Sequence, residues 1–185
     1  MIDLKKEIAR KFIHFLGLGY IPAYFLFGKE DLVLILITVF CLVCLIEFFR
    51  IKYGILAGLC REHERKAVGA HLYFGLAIII VTLALPRDAC FVALSTSIIG
   101  DGIAGIIKKM CSKNVATVFL FICSIIFIFL LNLANLEAAI FAVFIASIVE
   151  RIEKIWGFYV NDNLTVPIAA GFTYYLVKYI FFPYQ

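Results

Sequence analysis

An aspartate inside an apolar run is the first residue to account for. Asp101 lies within Ala89–Ile107, about six residues from the basic end, or about 9 Å deep on a helix rising 1.5 Å per residue. A carboxylate buried in hydrocarbon costs about 2.5–3.5 kcal/mol on the insertion scale, so it calls for a cation, a polar cavity or a partner. Its neighbours Ser95, Thr96, Ser97, Gly100, Gly102, Ala104 and Gly105 make the segment thin and locally polar. Close helix packing through small residues accounts for the glycines but not for the acid.

Four polar residues share one face of an earlier segment. Glu7, Arg10, Lys11 and His14 stand at i, i+3, i+4 and i+7. An interfacial anchor with Glu7 paired to Lys11 explains most of them, but His14 lies two residues inside the apolar run. Further charge follows in Arg61-Glu62-His63-Glu64-Arg65-Lys66, which a solvated loop would also explain, and in Lys108, Lys109 and Lys113 beyond Asp101. Glu150 closes a later run, and Asp162-Asn163-Leu164-Thr165-Val166-Pro167 opens the last one. Asn163 reads as the N-cap of that helix, with Pro167 near its first turn. Acids of this kind suit Mg²⁺ and bases suit phosphate oxygens, a combination fitted to phosphoryl transfer, where positioning and charge neutralisation dominate. Gly100-Asp101-Gly102-Ile103-Ala104-Gly105 also matches the dinucleotide fingerprint letter for letter. The preceding strand and βαβ unit that the fingerprint needs are missing. Cys41 and Cys44 form a Cys-x-x-Cys inside a lipid-type run with no second pair or nearby His, so they read as apolar filler.

The elements that must position these groups follow from composition. Of 185 residues, 64 % are hydrophobic and 16 % charged, and the mean hydropathy is +1.05. Soluble domains hold about 45–50 % apolar and about 25 % charged residues. A soluble domain of this size could not hide so much apolar surface, which excludes a water-soluble enzyme. The net charge of +4 is too mild to indicate a nucleic-acid partner. The expected fold is all-α: one domain over 1–185, a polytopic membrane bundle of about seven helices. The apolar runs are Phe12–Phe27, Leu32–Phe49, Ala67–Leu85, Ala89–Ile107, Val115–Leu133, Ala138–Val149 and Leu164–Phe182. The sixth is short for a span. The first follows basic residues but has no small-residue cleavage site, so it reads as a retained helix. With the N-terminus cytoplasmic, 14 of the 17 Lys and Arg residues fall on inner segments, as the positive-inside rule requires. The inner connections are also longer and more polar than the outer ones, which makes the inner face the expected working face.

These residues, in this order, resemble the CTP-dependent lipid kinases: dolichol kinase, phytol and farnesol kinases and the CTP-dependent diacylglycerol kinase. Glu7 to Gly17 resembles the family's opening Glu-x-x-Arg-Lys-x-x-His-x-x-Gly. Arg61 to Glu64, followed by Gly69-Ala70 and Tyr73-Phe74, resembles its second polar segment, and Gly100-Asp101-Gly102-Ile103-Ala104 its Gly-Asp-x-x-Ala signature. Val149-Glu150 and Asp162 to Pro167 resemble its closing motifs. Two departures stand out. Lys108 occupies a position where the family usually has glycine, and Lys113-Asn114-Val115-Ala116-Thr117 stands where it tends to show Lys-Ser/Thr-x-Glu-Gly. The resemblance implies transfer of the γ-phosphoryl of CTP to the hydroxyl of a lipid alcohol, polyprenol or isoprenoid favoured over diacylglycerol. It places the chain as a multi-pass protein of a prokaryotic cell membrane with its site on the cytoplasmic side. Asp101 and Asp162 are the expected Mg²⁺ ligands, and Asp101 and His14 the expected catalytic residues. Glu7, Arg10, Lys11, Arg61, Glu64, Lys108, Lys113, Glu150 and Asn163 are the expected nucleotide contacts. The expected partners are the nucleotide, the lipid alcohol and the bilayer, with a homo-oligomer left open. The alternatives are a CDP-lipid-forming cytidylyltransferase and a small cation-coupled transporter.

Overall fold

A computed structural model describes residues 14–54, 67–152, 154–155 and 158–182. Glu7, Arg10, Lys11, Arg61 and Glu64 lie outside these residues. Among the described residues the regular elements are helical, apart from one hairpin of two-residue strands. A 3₁₀ turn at Leu16–Gly19 leads into α1 (Tyr20–Tyr53), followed by α2 (Ala70–Ala84) and α3 (Arg87–Ser95). A π-helical turn over Thr96–Asp101 continues α3 into α4 (Gly102–Ile107). Then come α5 (Lys113–Leu130), α6 (Leu136–Val149), the strands β1 (Lys154–Ile155) and β2 (Phe158–Tyr159), and α7 (Asp162–Phe181). The strands pair antiparallel, Lys154 opposite Tyr159.

Among the described residues, four stretches are long and apolar enough to cross a membrane: Leu16–Tyr53, Arg87–Ile107, Lys113–Leu130 and Asp162–Phe181. Helices α2 and α6 are apolar but shorter, with 15 and 14 residues. At 1.5 Å per residue each is about 21–23 Å long, against a hydrocarbon core of about 30 Å. The first two expected runs are joined in α1, which breaks at Gly28 with φ 75° and ψ −179°. Glycine reaches that conformation without a Cβ clash, so the helix changes direction where an outer connection is expected. At its other end, Gly54 (φ 69°) closes α1 through its N–H to the Arg50 carbonyl.

Burial identifies the central element. Every residue from Ala89 to Ser95 is buried, and Thr96, Ser97, Ile98, Gly100 and Asp101 continue the buried stretch. Helix α7 packs most extensively on α6, and also on α2 and α3, while α5 packs on the π turn and α4. The long α1 turns much of its apolar surface outward, with Leu34, Leu42, Leu45 and Phe48 more than half exposed. Apolar groups outside and polar groups in the middle suit a lipid solvent.

Local chemistry places the ends. Asn135 caps α6, its Oδ1 accepting from Ala138 N at 2.9 Å, and Ser112 caps α5. The cap of α7 is Asn161, not Asn163 as its sequence suggests: Asn161 Oδ1 accepts from Asn163 N at 3.1 Å. Pro167 therefore falls in the second turn, where its missing N–H removes the usual donor to the Asn163 carbonyl.

Candidate functional site

Three helix ends meet beside the central element. Asp101 ends the π turn, Glu150 directly follows α6, and Asp162 is the first residue of α7. Their carboxylate oxygens lie within 4.8 Å of one another. Among the described residues these acids form a group able to hold a metal ion. The backbone of Asp101 is set by the π turn, an insertion in the helical ladder that often marks functional sites. Close packing fixes that turn: a Cβ on Gly100 would come within 3.1 Å of the Leu120 carbonyl oxygen of α5. Asp162 is held by its neighbour, since Asn163 Nδ2 donates to Asp162 Oδ1 at 3.0 Å and to Asn161 Oδ1 at 3.2 Å.

Glu150 is held differently. It stands at a helix C-terminus, where the macrodipole disfavours an anion, and its side chain is 0 % exposed. Lys108 answers it with an ion pair to Oε1, while Oε2 is buried with no hydrogen-bond partner. Buried carboxylates require hydrogen bonds or cations. An unpartnered buried oxygen beside two other carboxylates is therefore a fitting ligand for a hard cation such as Mg²⁺, which takes oxygen donors.

A cavity of about 320 Å³ adjoins the acids, lined by Lys108, Lys113, Glu150 and Asp162. On the α5–α6 side, Arg151 Nη2 donates to Asn114 Oδ1 at 2.7 Å. The site thus carries carboxylates and ammonium groups together, which suits it to take a cation and an anion.

His14 rests on the same π turn. Its Nε2–H donates to the Ser97 carbonyl at 3.2 Å, and its ring packs on Phe74 at 5.1 Å between centroids. A Cβ on Gly102 would lie 3.1 Å from Phe15 Cζ and 3.9 Å from His14 Cδ2. Glycine at 102 thus lets this pair approach the backbone next to Asp101. The described residues bring together Asp101, Glu150, Asp162, Lys108, Lys113 and Asn163, with His14 bonded to the same π turn at Ser97.

One buried polar cluster has no counterpart among the sequence-derived candidates. Glu47 and Arg50, 4 % and 5 % exposed, form a bidentate pair with contacts of 2.6 and 2.8 Å. Gly69 N–H donates to Glu47 Oε1 at 2.6 Å, and Arg50 Nη2 donates to the Ala67 carbonyl at 2.6 Å. The pair ties the last turns of α1 to the start of α2. Its signal was present as an acid and a base three residues apart in Glu47-Phe48-Phe49-Arg50. At the other end of the bundle, Asp88 Oδ2 accepts from Tyr174 Oη at 3.0 Å and Lys178 Nζ at 2.6 Å. Tyr174 Oη in turn accepts from Asn135 N at 3.0 Å, so this network joins α3, α6 and α7. Cys41 and Cys44 are free thiols on α1.

No family model matches the chain, nor does any curated protein or solved structure.

Proposed function

We propose that the chain is a membrane-embedded phosphotransferase that moves the γ-phosphoryl of CTP to the hydroxyl of a lipid alcohol at the cytoplasmic face. Seven spans with the N-terminus inside form its scaffold. The observation that carries the reading is the meeting of Asp101, Glu150 and Asp162 within 4.8 Å, beside a cavity that Lys108 and Lys113 also line. Three acids from separate helix ends, one with an unpartnered buried oxygen, suit Mg²⁺. Adjacent lysines suit the phosphates that Mg²⁺ accompanies.

In this reading Asp101, Glu150 and Asp162 hold the cation, which when bound draws charge from the phosphate oxygens and the leaving diphosphate. Lys113, with Arg10 and Lys11, neutralises the remaining phosphate charge, and Arg61 and Glu64 complete the nucleotide contacts. The lipid hydroxyl oxygen forms the new bond to the γ-phosphorus as the bond to the β–γ bridging oxygen breaks. CDP leaves, and the hydroxyl proton passes to His14 or an acidic neighbour. The apolar exterior leaves the tail of the acceptor in lipid, so an isoprenoid alcohol needs little recognition beyond its hydroxyl.

The test is direct. Purified protein is incubated with Mg²⁺, each labelled nucleotide and a panel of polyprenol, phytol-like alcohol and diacylglycerol. The expected product is a phosphorylated lipid with release of CDP. With a lipid phosphate added as acceptor, pyrophosphate and a CDP-lipid would identify a cytidylyltransferase, and ion-dependent flux in liposomes with no lipid product would identify a transporter.

A further inference from the structure

We propose that Lys108 is a metal-responsive counterion, paired with Glu150 while the carboxylate cluster holds no divalent cation and released into the neighbouring cavity when one binds. The inference rests on reading Asp101, Glu150 and Asp162 as a cation site, and not on which group is transferred.

Glu150 supplies the first half of the argument. Its side chain is 0 % exposed at the helix end that disfavours an anion, so it cannot stand charged without a cation beside it. Lys108 meets that need at Oε1 only, and Oε2 is left with no hydrogen-bond partner. Two further carboxylates lie within 4.8 Å. Lys108 thus answers Glu150 at one oxygen, and the unpartnered second oxygen offers a position for a stronger cation.

Lys108 supplies the other half. Its side chain is 29 % exposed, and it lines the cavity together with Lys113. An ammonium on a flexible four-carbon stem is strongly hydrated and readily rotated, so it has a hydrated alternative to Glu150 within reach. A divalent cation among the carboxylates repels it and competes for the same carboxylate. The released ammonium joins Lys113 at the cavity, so that cation binding on one side prepares the other for phosphate oxygens. Lys108 is then a positioning residue whose state reports on the metal.

The experiment uses the full chain in detergent with Mn²⁺ as the probe. Lysines are modified with an amine-reactive reagent with and without Mn²⁺ and quantified by mass spectrometry, with the exposed Lys52 as internal standard. Lys108 modification is expected to rise at least threefold on saturation with Mn²⁺, while Lys52 stays constant. In Glu150→Gln, Lys108 should be modified at the higher level without metal and should not respond to it. Lys108→Met should bind Mn²⁺ at least tenfold more tightly than the natural chain by electron paramagnetic resonance of free Mn²⁺, and this arm stands alone if Glu150→Gln does not fold. Unchanged or reduced Lys108 modification on bound Mn²⁺ would overturn the proposal, as would unchanged or weaker Mn²⁺ binding by Lys108→Met. Absence of Mn²⁺ binding by both proteins would overturn the cation site itself. Mn²⁺-dependent release of Lys108 without any phosphorylated lipid would remove the kinase reading alone. Lipid phosphorylation with Lys108 indifferent to Mn²⁺ would remove this proposal alone.

Discussion

Adding one methyl group at Gly100 tests whether helix packing sets the geometry of the acids. The Cβ of Gly100→Ala would fall inside contact distance of Ser124 Oγ, 3.0 Å from Leu120 Cγ and 3.1 Å from the Leu120 carbonyl oxygen. Ser124 can rotate away, but its hydroxyl donates to Leu120 O at 2.7 Å, and losing that bond costs about 0.5–1.5 kcal/mol. Leu120 is fully buried, and one contacting atom is backbone, so α5 and the π turn must separate. Overpacking of this kind costs about 1–3 kcal/mol. Together these give about 2–4 kcal/mol, or a fall in Tm of about 5–15 °C for a chain of this length. Asp101 is the next residue on the displaced turn. Because small displacements of catalytic groups cost up to about 100-fold in rate, Mn²⁺ affinity and lipid phosphorylation should fall further than stability alone explains. Thermal unfolding in detergent and Mn²⁺ titration read the two effects separately. Ser124→Gly, mildly destabilising by itself, should restore about 1 kcal/mol in the Gly100→Ala background, since it removes the closest contact and the hydroxyl bond together. A Gly100→Ala protein with Tm within 2 °C of the natural chain (about 1 kcal/mol or less) and unaltered Mn²⁺ affinity would refute the argument that this contact positions Asp101.

Three further perturbations separate site from scaffold. Asp101→Asn should abolish lipid phosphorylation while the protein still elutes as a single folded species in detergent; near-normal turnover would remove Asp101 from the metal site. Arg50→Met leaves Glu47 buried against the Gly69 N–H without its guanidinium, and should cost about 3–5 kcal/mol in a denaturation series, with Glu47→Gln the milder change because an acceptor for Gly69 N–H remains. Tyr174→Phe removes the hydroxyl that joins Asn135 N to Asp88, and should lower stability by about 1–3 kcal/mol with no change in Mn²⁺ affinity, since it lies at the other end of the bundle.

What the sequence made legible divides along physical lines. Each of the seven apolar runs contains helix, because their composition leaves the backbone no other way to satisfy itself in lipid. The break after the first run was visible in Gly28-Lys29-Glu30-Asp31, where a flexible residue precedes three charges. The π turn at Thr96–Asp101 was not visible, since one inserted residue in a run of small and branched side chains leaves the apolar pattern intact. Sequence alone does not select Asn161 as the cap of α7, because Asp162 and Asn163 are equally good capping types, and backbone geometry alone chooses among them.

The site divides the same way. Asp101 could be singled out because a carboxylate in an apolar run carries a cost that has to be met, and that reasoning needs no partner. Applied evenly, it also finds Glu47, two residues before the end of its apolar run, whose partner Arg50 lies one turn away. The grouping of Asp101 with Glu150 and Asp162 is of a different kind. It depends on α6 and α7 packing side by side, so that the end of one and the start of the other reach the π turn, and nothing in local spacing specifies that distance. Lys108 shows the same limit. As a residue type it suits phosphate, but its contact with Glu150 arises only in the fold, and that contact turns a phosphate ligand into a counterion whose release would couple cation and anion binding.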